Sequence, residues 1–285
     1  MVSKFRDFFF MKKNIGIQGI QGSFHHIVAN NYFEEDISIT EYLSFEELIS
    51  NLYHGKIDYA IMAIENSTAG SIIPNYALID EYGVNIVGEY YLQIKHHLMA
   101  LKGQSIEDIK EVQSHPMALL QCRDFFKNNA DIVLIEYKDT SQVAKKISEN
   151  KIKGLGAIAS DLASKIYGLD IIDSNIQTIK KNQTRFGILQ KKGSTKNLNF
   201  NKASVKFELD HKRGSLAAIL NVLSDCKLNL TKIQSMPMIQ TPWRYSFFVD
   251  VTFGKLKDYF KAKSIIEIMA KDFKVLGEYK NSKDD

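Results

Sequence analysis

The sequence predicts an α/β protein in which two lobes enclose a cleft and a smaller unit of strands and helices follows. Short apolar strands alternate with amphipathic helices over residues 14–175, as is typical of α/β folds. Residues 176–190 then return to the first lobe as a further strand. A polar linker over 191–201 separates this region from 202–285. We therefore assign 14–90 with 176–190 to the first lobe and 91–175 to the second.

Composition excludes several classes of protein. The 285 residues are 45% hydrophobic and 25% charged, which is typical of globular proteins, and no apolar run reaches the roughly 18 residues of a membrane span. The net charge of +4 comes from lysines spread along the chain, which argues against nucleic-acid binding. Cys122 and Cys226 are far apart, so we expect buried thiols in the cytoplasm. Residues 1–13 are interpreted as an extension, and whether the start is Met1 or Met11 stays open.

The first lobe is predicted from a regular βαβ rhythm, which indicates a parallel sheet. Strands are expected at 14–18, 36–42, 57–64 and 84–87, with helices capped by Ser23 and Ser44. The glycines Gly16, Gly19 and Gly22 lack the spacing of a dinucleotide-binding turn, but their N–H groups could bind an anion such as a carboxylate. A polar segment, 65–71, follows the third strand at the edge where α/β sheets bind ligands.

The second lobe begins with a long strand over 91–101. A short strand ends at Ser114-His115-Pro116, and Pro116 suits the first turn of one helix that continues through Phe126. Gln121 then lies two turns along this helix, on the side of Ser114. Further strands are expected at 132–137, 155–159 and 169–173, and helices at 140–149 and 161–167. His115 is interpreted as a residue that fixes the loop.

The returning strand, 182–189, carries the residues of most chemical interest. Alternation along a strand places Thr184 and Phe186 on one face and Arg185 on the other. A hydroxyl donor would then stand beside an aromatic wall. The histidine pairs His25-His26 and His96-His97 lack metal-ligand spacing, so no metal site is expected.

The C-terminal unit has the order βαββαβ, which is ferredoxin-like. Strands are predicted at 203–209, 228–236, 244–251 and 273–279, and helices at 214–224 and 257–270. Pairing between subunits would cover the edge of so small a sheet.

Taken together, these segments resemble the prephenate dehydratase family with a C-terminal ACT regulatory domain, over residues 15 to about 279. The opening Gly19-Ile20-Gln21-Gly22-Ser23-Phe24 looks like the family's Gly-Pro-x-Gly-Thr/Ser-Phe, with Ile20 in place of proline. The other matches are the Glu-Asn-Ser loop at 64–71, the Ser-His-Pro segment from 114 through Gln121, and the Thr-Arg-Phe triplet at 184–186. The resemblance implies a periplasmic-binding-protein-like catalytic region over 14–190.

The resemblance implies loss of carbon dioxide and the ring hydroxyl from prephenate, giving phenylpyruvate in the step toward L-phenylalanine. No cofactor or metal is implied. Thr184 would donate a hydrogen bond or proton to the leaving hydroxyl. The residues implied in substrate binding or in shaping the site are Glu65, Asn66, Ser67, Ser114, Gln121, Arg185 and Phe186. An ion pair that fixes the loop is an equal alternative for Arg185.

For the C-terminal unit, the resemblance implies feedback inhibition by phenylalanine bound between the subunits of a homodimer or homotetramer. The matching segments are 213–216, 229–237 and 241–245, and the implied effector residues are Gly214, Ser215, Leu216, Asn229, Leu230, Gln234, Ser235 and Pro237. Gln234 and Met236 stand where the family has glutamate and arginine, so retention of the phenylalanine response is left open.

Two other functions fit the sequence. Arogenate dehydratase carries out the same elimination on an amino-acid analogue, and the residues do not separate keto from amino recognition. A non-catalytic amino-acid-binding sensor could also use two lobes and an ACT domain.

Overall fold

The computed structural model describes residues 12–34, 36–193, 199–210, 212–238 and 244–283. The expected start at Met1 or Met11, the middle of the 191–201 linker and the 241–243 part of the C-terminal motif lie outside these ranges. Within them, every helix is too short or too polar to cross a membrane.

The first lobe is built on a mixed sheet. Its first three strands are parallel, as predicted, and the other strands run antiparallel to their neighbours in this lobe. β1 (Lys13–Gln18) lies between β2 (Ile37–Tyr42) and β3 (Tyr59–Asn66) and is parallel to both. Ser23 and Ser44 cap the first two helices by accepting hydrogen bonds from His26 and Glu47, and left-handed Gly83 ends the third. The elements are β1 (Lys13–Gln18), α1 (Phe24–Tyr32), β2 (Ile37–Tyr42), α2 (Phe45–Tyr53), β3 (Tyr59–Asn66), β4 (Gly70–Ser71), α3 (Ile73–Tyr82) and β5 (Asn85–Gln93).

The second lobe has its own sheet. The elements are β6 (His97–Ala100), β7 (Glu111–Ser114), α4 (Pro116–Gln121), α5 (Arg123–Lys127), β8 (Val133–Glu136), α6 (Thr140–Asn150), β9 (Leu155–Ala159), α7 (Asp161–Tyr167) and β10 (Asp170–Asp173). The strands lie in the order β10-β6-β9-β7-β8. The prediction of one continuous helix after Pro116 is wrong. The helix breaks at Cys122, because the Gln121 carbonyl accepts a hydrogen bond from the Thr178 N–H instead of continuing the helical ladder.

The returning strand β11 (Gln183–Gln190) lies antiparallel between β3 and β5, so the chain does re-enter the first lobe as predicted. The elements of the C-terminal unit then follow in the predicted order: β12 (Lys202–Glu208), α8 (Ser215–Asp225), β13 (Asn229–Pro237), β14 (Tyr245–Thr252), α9 (Leu256–Met269) and β15 (Lys271–Tyr279). Its strands lie in the order β13-β14-β12-β15, which is ferredoxin-like. These findings confirm the α/β fold class.

The strands of the C-terminal unit do not form a separate sheet, although the sequence predicted a unit set apart by a linker. β15 lies parallel to β5 with Gly277 opposite Ile86, which joins the two sheets into one. A Cβ added at Gly277 would stand 2.2 Å from the carbonyl oxygen of Ile86, so the close approach requires glycine. Phe248 and Tyr279 complete a core with helices of the first lobe.

Candidate active site

The centre of the site is a pair of residues facing each other on neighbouring strands. Thr184 on β11 is in register with Asn66 on β3, and Asn66 Nδ2 donates to Thr184 Oγ1 over 2.8 Å. Both side chains are buried. Asn66 was expected in a loop after a strand ending at Ile64, but β3 continues to Asn66 because it pairs with both β11 and β4.

The amide orientation of Asn66 is fixed by backbone donors. Its Oδ1 accepts hydrogen bonds from the N–H groups of Thr68 at 3.0 Å and Ala69 at 2.9 Å. Nδ2 must therefore point the other way, toward Thr184 Oγ1 and toward Asn182 Oδ1 at 2.8 Å. Among the described residues, none accepts a hydrogen bond from the Thr184 hydroxyl. The oxygen of that hydroxyl therefore accepts the hydrogen bond from Asn66, and its hydrogen is available for donation.

A chain of amides connects this pair to the second lobe. Gln121 Oε1 accepts from Asn182 Nδ2 at 2.9 Å and contacts His96 Nε2 at 2.9 Å. Gln121 Nε2 donates in turn to the Thr68 hydroxyl at 3.3 Å. The structure thus brings Thr184, Asn66 and Gln121 together through side chains of both lobes.

His96 is neutral in this arrangement. Burial lowers its pKa to about 4, against the opposing effect of the Gln121 hydrogen bond. Because Gln121 Oε1 can only accept, the imidazole hydrogen lies on Nε2. Its buried Nδ1 has no hydrogen-bond partner among the described residues. His96 therefore positions the amide of Gln121.

Phe186 lies in the core of the first lobe, next to the site. It is buried, and its ring meets that of His25 edge-on at 5.0 Å. Burial lowers the pKa of His25 to about 3, so this ring is also neutral. Phe186 can form an apolar wall but offers no polar contact.

Ser114 ends β7, just before the helix that carries Gln121. It is fully buried, and its hydroxyl donates to the Ile158 carbonyl over 2.7 Å. The hydroxyl hydrogen is therefore unavailable to a ligand. Ser67 is used structurally as well, since its Oγ accepts from the Gln183 N–H at 2.9 Å. This bond ties the loop after β3 to β11, which agrees with a role in shaping the loop.

Glu65 and Arg185 face away from Thr184, so the structure does not bring them to the site. They are paired across β3 and β11, one residue along from Asn66 and Thr184. The Arg185 guanidinium is buried in ion pairs with Glu89 and Asp250. Of the two alternatives for Arg185, this arrangement favours the fixing ion pair.

The glycine turn after β1 joins the lobes and does not present free N–H groups. The N–H groups of Gly19, Gln21 and Gly22 donate to Tyr42, Glu41 and His26, so the expected anion site is wrong. Gly19 and Gly22 have φ of 90° and 89°, which favours glycine. A Cβ on Gly22 would also meet Ala163 of the second lobe at 3.0 Å or closer.

The residues implied in effector binding are divided between the two ends of the C-terminal sheet. Ser215 and Leu216 line a cavity of about 130 Å³ with Tyr245 and Phe247, and left-handed Gly214 precedes them. The end of β13, with Gln234, Ser235 and Pro237, pairs with the start of β14 near this cavity. Asn229 and Leu230 pair with the far end of β14, so one subunit does not bring them to the same place.

Sequence reasoning missed Asn182, Thr68 and His96 as members of the site. Asn182 opens the returning strand and Thr68 follows the Glu-Asn-Ser triplet, so both stood beside recognised motifs. His96 was considered only as a metal ligand. In the described residues, no group of three or more His, Cys, Asp or Glu is arranged to hold a metal.

A family model described as prephenate dehydratase matches residues 15–194. The chain belongs to the prephenate dehydratase family. It is 32% identical over 267 residues to a bifunctional chorismate mutase/prephenate dehydratase of Buchnera aphidicola (Schizaphis graminum), covering 92% of this chain and 69% of that protein. It is 33% identical over 279 residues to the chloroplastic arogenate dehydratase/prephenate dehydratase 2 of Arabidopsis thaliana, covering 93% and 72%.

Solved structures of the family share this fold. Prephenate dehydratase of Staphylococcus aureus superposes with a TM-score of 0.80 at 26% identity, covering 94% of this chain and all of that one. Prephenate dehydratase of Arthrobacter aurescens in complex with L-Phe gives 0.86 at 21% identity, covering 95% and 91%. The second likeness is evidence of fold alone.

Proposed function

We propose that this protein is a lyase that converts prephenate to phenylpyruvate, carbon dioxide and water. The bond from the ring to its carboxylate breaks, its electron pair enters the ring, and the carbon–oxygen bond to the ring hydroxyl breaks as the oxygen takes up one proton. Aromatisation drives the reaction, so the protein need only orient the dianion and assist the leaving oxygen. No cofactor or metal is required. Two buried free thiols, Cys122 and Cys226, suit the proposed cytoplasmic setting.

The observation that carries this proposal is the orientation of the Thr184 hydroxyl. Because Asn66 donates to its oxygen, the hydroxyl can give its hydrogen to another acceptor. A threonine hydroxyl is a poor acid at neutral pH, so the proton moves only as the leaving oxygen becomes basic. Thr184 is therefore proposed as the catalytic donor.

The other site residues take supporting roles in the proposal. Asn66 holds the Thr184 hydroxyl in place. Gln121 supports the site through Asn182 and can offer the second hydrogen of its amide to the substrate, while Phe186 provides the apolar wall. Ser67 and Glu65 shape the loop, and Ser114 anchors the start of α4 to β9. We assign 14–190 to the catalytic region, 191–201 to the linker and 202–285 to an ACT domain, after an extension at 1–13.

We propose further that the C-terminal unit binds phenylalanine in a homodimer or homotetramer. This rests on the resemblance of 213–216 and 229–237 to effector motifs and on the cavity beside Ser215 and Leu216. A partner subunit would supply the Asn229 end of β13, which lies away from that cavity in one subunit. Activity that is unchanged by added phenylalanine would show that the unit serves only assembly.

The decisive experiment incubates the purified protein with prephenate at neutral pH and follows phenylpyruvate, with Thr184→Ala and Thr184→Ser in parallel. Thr184→Ala should lower kcat by about 100-fold or more with a small change in KM, as is typical for loss of a proton donor. Thr184→Ser keeps the hydroxyl and should retain most activity. Equal effects of Thr184→Ala on kcat and substrate affinity would contradict a role in the transition state.

Arogenate is the second substrate to be assayed. Phenylalanine formed from arogenate, without product from prephenate, would assign the protein as an arogenate dehydratase. Binding of an amino acid without turnover of either substrate would instead favour a non-catalytic sensor.

A further inference from the structure

The residue next to the proposed catalytic threonine is held by the C-terminal unit. Arg185 follows Thr184 on β11 and points to the opposite face of the strand. Its Nε donates to Glu89 of the first lobe at 2.6 Å, while its two terminal nitrogens bond Asp250 at 2.5 Å and Tyr279 Oη at 2.7 Å. Asp250 and Tyr279 belong to β14 and β15. All three guanidinium nitrogens are therefore used, two of them across the junction of the sheets.

This group of charges is buried and balanced. Arg185, Glu89 and Asp250 are each 3% exposed or less, and Lys202 of β12 adds a second cation that bonds both oxygens of Glu89 at 2.9 Å. The partly exposed Glu65 lies 3.6 Å from Arg185 Nη1 and from Lys232 Nζ, so three cations and three carboxylates meet here. Burial alone would lower the pKa of Arg185, but Asp250 and its neighbours raise it above its ordinary value. The guanidinium stays charged and needs its partners.

The hydrogen bonds also fix the direction of each partner. Tyr279 Oη lies 2.6 Å from Ser204 Oγ, and Ser204 bonds the second oxygen of Asp250 at 2.5 Å. β14 and β15 therefore bond the guanidinium directly, and Ser204 of β12 holds both of their side chains in place. A shift of any of these strands must move Arg185 or break a buried bond.

We propose that Arg185 is a positioning residue through which the C-terminal unit sets the place of Thr184. The Arg185 backbone is continuous with that of Thr184, so an anchor on one fixes the other. Displacements of about 1 Å from the productive geometry can cost about 100-fold in rate. Strands β14 and β15 therefore contribute to turnover without touching substrate. This inference rests on the proposed function, since it concerns the same hydroxyl.

The test uses Tyr279→Phe, which removes one hydrogen bond from Arg185 and keeps the ring, and Asp250→Asn, which removes the charge. Both should lower kcat for prephenate at least about tenfold with KM changed less than about twofold, because the substrate contacts remain. Tyr259→Phe is the matched control. Its hydroxyl is also hydrogen-bonded, to Glu278 at 2.6 Å in the C-terminal unit, but it does not contact Arg185.

A second readout does not depend on activity. Amide hydrogen exchange over residues 183–190 should rise about tenfold in Tyr279→Phe and stay unchanged in Tyr259→Phe, because only the first loosens the anchor of β11. Equal exchange and equal kcat in the two variants would overturn the inference. Wild-type protein that fails to convert prephenate would refute the proposed function, and the exchange experiment would still decide whether Tyr279 anchors the strand.

Discussion

Replacement of Gly277 by alanine should open the junction between the two parts of the large sheet. The new Cβ would lie 2.2 Å from the Ile86 carbonyl oxygen and 2.7 Å from the Ile86 Cβ. Ordinary carbon–oxygen contacts lie at about 3.3 Å or more, so β15 must retreat from β5 by about 1 Å. Neither group is a flexible side-chain end that could move aside. Tyr279, two residues further along β15, would move with the strand.

The expected loss in the free energy of unfolding is about 2 kcal/mol, within the range of about 1–3 kcal/mol for an overpacked buried site. Urea denaturation followed by circular dichroism measures this loss. A fall in kcat should accompany it, because Tyr279 bonds the guanidinium of Arg185.

Gly254→Ala is the matched control for this substitution. An added Cβ there meets no atom within 4 Å, and the variant should stay within about 0.5 kcal/mol of the wild type. If Gly277→Ala is as stable as Gly254→Ala, the close contact with Ile86 is not needed and the reasoning fails.

The remaining predictions concern one hydrogen bond and one buried ring. Asn66→Asp should lower kcat by about 100-fold, because a carboxylate would accept the hydrogen of the Thr184 hydroxyl that the substrate needs. The half-buried Asn51→Asp, on α2, is the control. Full activity of Asn66→Asp would contradict the assigned orientation. His25→Gln should flatten the pH dependence of stability. Burial lowers the His25 pKa to about 3, whereas the unfolded ring takes up a proton below about pH 6.5. The wild-type free energy of unfolding should therefore fall as pH drops from about 6.5 toward 3, by up to about 1.4 kcal/mol per unit from this ring. Urea denaturation at pH 7, 6 and 5 measures the slope; exposed His54→Gln should leave it unchanged, and equal slopes in both variants would refute this role.

Local patterns in the sequence predicted much of the fold. The caps Ser23 and Ser44 were identified from residue type and spacing, and each accepts a backbone hydrogen bond at the start of its helix. Such signals depend on residues three or four apart. The break at Cys122 was not predicted, because its cause is a hydrogen bond from Thr178, more than fifty residues away.

The site was predictable only where it coincided with a motif. Thr184 and Asn66 were identified, but the bond between them depends on the register of two strands 118 residues apart. Strand alternation placed Arg185 on the face opposite Thr184, as found. Its partner Asp250 lies on another sheet segment, and no local pattern indicates which distant carboxylate meets a buried guanidinium.

We expect the first lobe to depend on the C-terminal unit for its solubility, because β15 meets the edge of β5 at Ile86. A chain cut after residue 190 would leave the outer edge of β5 unpaired, and exposed strand edges act as templates for aggregation. Glu89 on that strand would also lose Lys202, its partner on β12. The C-terminal unit thus meets an edge that would otherwise be prone to aggregation. A C-terminal unit exchanged between relatives would have to preserve the contact of Gly277 with Ile86 and the ion pair of Lys202 with Glu89.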